Sequence, residues 1–466
     1  MLLGKIFGNG SDMEIRGIGY GGKCAEGDLY FCLHDGDRLA RDMAFALERG
    51  AAAIAAGSEV RSDIPSFVCE DVRAKFALAS AAFYGNPADR LTLVGVTGTN
   101  GKTTTTHIIK SIMEAAGHKV GLIGTNGVSL AGDESAPTLT TPDPPELHRT
   151  LADMLARGAD TVVMEVSAHA LALKKTEGIR FAVSAFTNLT QDHLDFFGSM
   201  EKYAAAKKSL FDPARSAAAA INVDDETGIE IARSAMIPVV TYGCENPSDV
   251  FGIDYRASEK GCRFVANVMD DIMVLDYCAP GRFNMSNVLC AAAVAKMLGV
   301  GAPAIKRGVK NVRRVDGRFE IISRGGKRVV VDYAHTPDGL GKILRAVREI
   351  TDGRVIAVFG CGGDRDTGKR AVMGEIADEL ADFAVITSDN PRSEDPVGIM
   401  NQIASGFVSH NYKMISDRRE GIKYALDMCG AGDTVVVAGK GHEKTQETAG
   451  VKTRFSDAET VKELLG

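Results

Sequence analysis

A strand-like apolar run, Leu91-Thr92-Leu93-Val94-Gly95-Val96, leads into Gly98-Thr99-Asn100-Gly101-Lys102-Thr103-Thr104 and then into a helical stretch. That is the setting of a phosphate-cradling loop. Its glycines let backbone N–H groups reach phosphate oxygens, Lys102 can bridge the β and γ phosphates, and Thr103 can offer its hydroxyl to Mg²⁺. The spacing departs from the strict GxxxxGK[ST] form, because Val96 stands five residues before Gly101. Two further strands end on groups that suit the same ion. The run 161–166 brings Glu165 to the carboxyl edge of the sheet, where open α/β sheets bind ligands. The run 182–186 is followed by NLTQDHLD, which offers His193 as a neutral nitrogen ligand beside acidic groups. Each taken alone also reads as a structural cap. Their joint position behind strands of the loop's own domain favours a metal-assisted phosphate site.

The elements that position these residues follow an α/β rhythm. Residues 1–88 carry short apolar runs at 29–33 and 66–68, with helical spacing over 42–56, and read as a small N-terminal α/β domain. The turn Tyr84-Gly85-Asn86-Pro87 separates it from a central P-loop-type ATPase domain over 89–316. There, strand-like runs at 161–166, 182–186 and 218–222 alternate with helical ones at 200–211 and 288–297, which implies a mainly parallel sheet. Strands at 328–331, 355–359, 383–387 and 434–438 make a Rossmann-like, doubly wound C-terminal domain over 317–466.

A chain of 466 residues with 45% apolar and 25% charged side chains is expected to fold around several cores. The formal charge of -7 and the lack of basic clusters exclude nucleic acid as an expected partner. No apolar run approaches a bilayer span, so no membrane partner is expected. Nine cysteines without a CxxC pair, and an N-terminus without a secretory apolar stretch, point to reduced thiols and a cytoplasmic location.

Taken together, GTNGKTT, MEVSAHAL, NLTQDHLD and DYAHTPD resemble the Mur ligase family, from about residue 91 to the end. The resemblance implies ATP-dependent amide ligation: a carboxylate is phosphorylated and the acyl phosphate is captured by an amine. It implies two Mg²⁺ ions, with Lys102, Glu165, His193 and Lys207 as catalytic candidates. Lys207, in YAAAK, matches the family's lysine carbamylated by CO₂, and Thr103, Glu165, His193 and the Lys207 carbamate would face the metal. Composition alone does not separate Lys207 from Lys208. ATP is expected on residues 98–104 with Asn284, Asn287, Arg318 and Asp332, although the Asn pair alone reads equally as a helix cap.

Within the family, GCGGDRDTGKR, SDNPRSEDP and GKGHE are similar to the branch that extends UDP-MurNAc-L-Ala-D-Glu with a diamino acid. Asp389-Asn390-Pro391-Arg392 matches members that take meso-diaminopimelate, Arg392 gripping the distal carboxylate in a bidentate pair. Arg365, Gly439 and Glu443 match other positions around the amino acid. Spacing alone would make DNPR an Asn-Pro turn. Thr140, Thr141, Ser167 and Lys175 match contacts to the UDP-MurNAc dipeptide, although Lys175 stands where arginine is usual. The first domain departs from the family, with Tyr20-Gly21-Gly22 in place of an Asp-Ser-Arg triplet. The same features leave open an L-lysine-adding ligase, a folylpolyglutamate-type ligase or a non-catalytic nucleotide-binding regulator. The expected arrangement is a monomer with its catalytic cleft between the second and third domains, closing when its small-molecule substrates bind.

Overall fold

The computed structural model describes residues 1–8, 11–135 and 139–466, and it builds three α/β domains on three main sheets. The first sheet is wholly parallel, in the order Gly17–Tyr20, Asp28–Phe31, Ala53–Ala56, Ser66–Val68. The helical spacing over 42–56 belongs to a helix only as far as Glu48, in Asp37–Glu48, and Ala53–Ala56 is a fully buried strand. Alanine favours helices when it is exposed, but a run of small side chains also suits an inner parallel strand packed on both faces. Gly50, at φ 74°, makes the turn that separates the two elements.

Among the described residues the central sheet has eleven strands. Its middle is parallel, in the order Val239–Gly243, Ala219–Asn222, Val183–Phe186, Thr92–Thr97, Thr161–Glu165, Val120–Gly124. Val250–Ser258 adds one more parallel strand beside Val239–Gly243, and antiparallel strands then extend both edges, so the expected parallel sheet is the core of a wider mixed one. The helices Lys102–Ala115, Arg282–Met297 and Ala302–Asn311 bury their apolar faces together on one side. Gly308 permits a close crossing, since a Cβ there would run into the Ile112 backbone, and its carbonyl accepts from Ser111 Oγ at 2.7 Å.

The third sheet runs Glu320–Arg324, Lys327–Asp332, Thr434–Ala438, Val355–Phe359, Phe383–Ile386, Tyr412–Met414. Only the first pair is antiparallel. Alternate valines serve opposite layers: Val330 and Val436 pack in the core shared with the central domain, while Val329, Val331, Val435 and Val437 face the helices Arg418–Met428 and Asp457–Leu464. Asp332 ends one strand, and Asp389 and Gly439 follow two others, so these candidates collect at the carboxyl edge.

All nine cysteines are free. Among the described residues no helix is long and apolar enough to cross a membrane.

His148, in the helix Pro144–Ala156, is fully buried and its ring nitrogens find no partner among the described residues. Burial pushes its pKa down to about 4. Protonation is therefore easier in the unfolded chain, so the stability held above pH 6.5 is lost as pH falls toward 4. Between pH 7 and pH 5 the wild type should lose roughly 2 kcal/mol more than His148→Leu. Denaturant midpoints at the two pH values measure this, and equal losses would contradict it.

Candidate active site

The phosphate loop turns on two glycines. Gly98 (φ 149°) and Gly101 (φ 87°) adopt conformations that favour glycine, and both also lack room for a side chain. A Cβ at Gly98 would overlap Thr187 Oγ1, and one at Gly101 would lie 2.5 Å from Asn287 Oδ1. The Lys102 ammonium folds over the loop, donating to Gly98 O at 3.0 Å and Thr99 O at 2.9 Å. Burial lowers its pKa against the opposing pull of Glu165. Thr99 Oγ1 accepts from Thr190 N at 3.0 Å, and Thr103 Oγ1 accepts from Arg318 Nη2 at 3.1 Å. Thr104 is buried at the head of the Lys102–Ala115 helix. The loop thus touches both lobes of the cleft.

Glu165 ends its strand almost wholly buried, accepting from Thr125 N at 2.8 Å and Thr125 Oγ1 at 3.0 Å. Gly124 must be small here, because a Cβ would strike Glu165 Oε1. His193 sits at φ 56°, and burial carries its pKa down to about 3, which keeps the imidazole neutral. Lys207 is 1% exposed and donates to Gly98 O at 2.7 Å, with its ammonium 4.4 Å from the Tyr203 ring centre. Burial, and then Lys102, push the Lys207 pKa well down. Lys208 instead pairs with Glu230 at the surface. Glu165, His193 and Lys207 all interact electrostatically with Lys102, so the four catalytic candidates surround the loop.

Among the described residues no three His, Cys, Asp or Glu side chains are arranged to hold an ion. Glu165 and neutral His193 fit a hard divalent cation only together with further oxygens, which Thr103, phosphate and a carbamate could supply.

A cavity of about 560 Å³ runs from Asn100 and Gly101 between the central and C-terminal domains. Asn284, Asn287, Arg318 and Asp332 all line it. Asn287 Oδ1 accepts from Thr105 Oγ1 at 3.3 Å, and Asn287 Nδ2 donates to Asn284 Oδ1 at 3.4 Å. Asp332 accepts from Phe319 N and Ala334 N, both at 2.8 Å, and burial raises its pKa. Arg318 stacks 4.6 Å from the Tyr333 ring, and its buried Nε finds no partner among the described residues. Asn100 Nδ2 reaches across the cleft to Asp338 Oδ2 at 2.9 Å.

The DNPR segment is braced by the hairpin Thr445–Thr448 and Val451–Arg454. Arg392 adopts φ 52°. Its N–H donates to Glu447 O at 3.1 Å, its carbonyl accepts from Ala449 N at 2.6 Å, and its Nη1 donates to Gly363 O at 2.6 Å. Asn390 Nδ2 donates to Glu443 Oε2 at 2.9 Å. Gly439 (φ 121°) lies so close to Asp389 that a Cβ would sit 2.5 Å from its Oδ2. Pro391 faces a separate cavity, together with Arg419 and Arg454. Arg365 is half exposed, 3.7 Å from Asp195 of the central domain.

On the other side of Glu165, Thr140 Oγ1 lies 3.1 Å from Thr125 Oγ1, Thr141 Oγ1 donates to Glu165 O at 2.9 Å, and Ser167 N donates to Thr141 Oγ1 at 3.0 Å. Lys175 pairs with Asp143 at 2.8 Å. Tyr20 of the first domain donates to the same Asp143 at 3.2 Å, so the atypical Tyr-Gly-Gly turn adjoins the Lys175 group.

Residues 96–295 match the Mur ligase middle domain and residues 317–441 the Mur ligase, glutamate ligase domain. The chain is 39% identical to the UDP-N-acetylmuramoyl-L-alanyl-D-glutamate–2,6-diaminopimelate ligase of Clostridium tetani, over 99% of this chain and 96% of that relative. The protein of the same description from Halalkalibacterium halodurans is 41% identical, over 93% and 90%.

The chain belongs to the Mur ligase family.

A solved structure of a UDP-N-acetylmuramoyl-L-alanyl-D-glutamate–2,6-diaminopimelate ligase superposes on this Mur ligase with a TM-score of 0.72 at 30% identity, covering 100% of this chain and 98% of that one. Folylpolyglutamate synthase of Mycobacterium tuberculosis shares the fold alone, at TM-score 0.67 and 17% identity, over 78% and 91%. Two side chains of the Mur ligase site were missed as individuals, although both lie inside quoted motifs. Asp192 is buried between His193 and His335, 3.4 Å and 3.6 Å away. Burial would raise its pKa, but the His335 hydrogen bond and both imidazoles hold it well below the usual carboxylate range. Lys440 is fully buried beside Asn390 and Glu443. A charged residue between two glycines just past an all-buried strand was the available signal.

Proposed function

We propose that this chain uses ATP to join meso-diaminopimelate to UDP-MurNAc-L-Ala-D-Glu, in the cytoplasm where both precursors are made. The observation that carries the chemistry is the buried, neutral-leaning Lys207 amine seated on the carbonyl of Gly98 beside Lys102. A neutral amine is the form that combines with CO₂, and burial shifts Lys207 toward it. Near-complete alignment with diaminopimelate ligases supports the choice of substrates.

A carboxylate oxygen of the D-Glu side chain attacks the γ phosphorus of ATP, the bond to the β phosphate breaks, and ADP departs. The amine of diaminopimelate then adds to the acyl carbon, and the tetrahedral adduct expels phosphate and loses a proton to give the amide. Lys102 and the loop N–H groups hold charge on the transferring phosphate, and Arg318 steadies it from the opposite lobe. Thr103, Glu165, His193 and a Lys207 carbamate would hold Mg²⁺, which supplies charge neutralisation and alignment of the phosphate oxygens. Asn284, Asn287 and Asp332 line the nucleotide cavity, while Thr140, Thr141, Ser167 and Lys175 face the sugar peptide. Arg392 and Glu443 receive the distal carboxylate and ammonium of the amino acid, with Arg365, Asp389, Asn390, Pro391 and Gly439 shaping that end.

Phosphate release is the direct test, with ATP, Mg²⁺ and UDP-MurNAc-L-Ala-D-Glu, comparing meso-diaminopimelate, L-lysine and no amine, with product mass measured. Turnover with meso-diaminopimelate and little with L-lysine is expected. Preference for L-lysine overturns the choice of amine, and no amine-dependent release overturns the reaction.

A further inference from the structure

Lys440 is 0% exposed, yet its charge is not isolated. Its Nζ donates to Asn390 Oδ1 and to Glu443 Oε2, both at 2.9 Å. Asn390 Oδ1 also accepts from Glu447 N at 3.0 Å, while Asn390 Nδ2 donates to Glu443 Oε2 at 2.9 Å. This fixes which way the Asn390 amide points. A flip would set its NH₂ against the donors on Lys440 and Glu447 and its oxygen against a carboxylate. Glu443 Oε2 takes the donors from Lys440 and Asn390, which leaves Oε1 for an incoming ammonium. The side chain of Glu443 is 30% exposed against 0% for Lys440, so the carboxylate is the accessible partner and the ammonium is the enclosed one.

The same hydrogen-bond chain reaches Arg392. From Lys440 it passes to Asn390, then to Glu447 N, and Glu447 O accepts from Arg392 N at 3.1 Å. One buried ammonium therefore anchors both groups assigned to the distal end of the amino acid, the carboxylate directly and the guanidinium through the hairpin backbone.

We infer that Lys440 is a positioning residue for amino-acid selection, holding Glu443 and the Arg392 turn in register to receive the zwitterionic end of a diamino dicarboxylic acid. This rests on the substrate assignment proposed above. Lys440 itself touches no substrate. Its loss should therefore appear in the KM for the amino acid and spare the steps that use ATP and the nucleotide sugar.

The test compares wild type, Lys440→Met and Lys440→Gln, measuring kcat, the KM of each of the three substrates, and thermal melting. For Lys440→Met the KM for meso-diaminopimelate should rise about 100-fold, the scale for removing one partner of a buried charge pair. The KM values for ATP and UDP-MurNAc-L-Ala-D-Glu should stay within about twofold. Lys440→Gln keeps N–H donors without charge and should fall between, and it carries the test alone if the methionine variant does not fold. A KM for the amino acid within about threefold of wild type in both variants overturns the inference. So does a parallel rise of all three KM values with a lower melting temperature, which marks a merely structural lysine. If the wild type prefers L-lysine, a split confined to the KM of that amine supports Lys440 and overturns only the diaminopimelate assignment. Absence of amine-dependent turnover in the wild type overturns both.

Discussion

Lys207→Met is expected to lower kcat by about 100- to 1000-fold, the scale on which losing one pre-organised charge-stabilising group slows a transfer reaction. The side chain is buried, its amine rests on Gly98 O, and burial with the nearby Lys102 charge lowers its pKa. Burial thus favours the neutral amine where a carbamate would form, and falling pH works against that form. Lys208→Met is the matched control, since Lys208 pairs with Glu230 outside the site, and it should turn over at the wild-type rate. Formate or acetate should restore part of the activity of Lys207→Met by placing a carboxylate where the proposed carbamate oxygens would stand. Folding should survive, because a similar apolar side chain replaces a buried amine. Steady-state rates with and without added carboxylate measure the outcome. Wild-type turnover by Lys207→Met, or equal loss in both variants, would remove Lys207 from the chemistry.

Arg392→Ala should cut kcat/KM for meso-diaminopimelate by roughly 100- to 1000-fold, the range for truncating one partner of a hydrogen-bonded charge pair. Turnover of L-lysine, which brings no distal carboxylate, should change little, so discrimination between the two amines should collapse. Arg392→Lys keeps the charge but not the two-pronged donor and should fall between. The backbone here is committed: Arg392 holds a left-handed conformation pinned on both sides by the hairpin, and its Nη1 rests on Gly363 O. That anchor aims the guanidinium before any amino acid arrives. Competition between the two amines in one reaction, read by product mass, gives the ratio directly. An unchanged ratio in Arg392→Ala would move selectivity to other residues.

Local pattern made part of this legible. The phosphate loop announces itself because strand, glycines, lysine and helix lie within one short stretch of chain. Val355–Phe359 and Thr434–Ala438 were equally plain, as short apolar runs rich in β-branched residues. Ala53–Ala56 was not, since three alanines around Ile54 have no period of their own and only the strands on either side decide their conformation. Lys207 and Lys208 are identical in type and adjacent, and what parts them is which face of one helix turns toward Gly98. The Arg318–Thr103 and Asn100–Asp338 contacts join residues more than two hundred positions apart, which no spacing rule reaches. Lys440 was in view inside GKGHE, but a lysine is read as solvated until its partners are known.

The hydrogen bond from Asn100 to Asp338 has a consequence for how ligands influence one another. It ties the loop assigned to phosphate to the domain that carries Arg392 and Glu443, so a nucleotide seated against that loop would also bear on the posture of the other half. If filling one favours the arrangement the other requires, the coupling free energy belongs to the pair and is reciprocal. Whatever factor ATP contributes to holding the amino acid, the amino acid returns to ATP in equal measure, and neither can be described as the effector of the other.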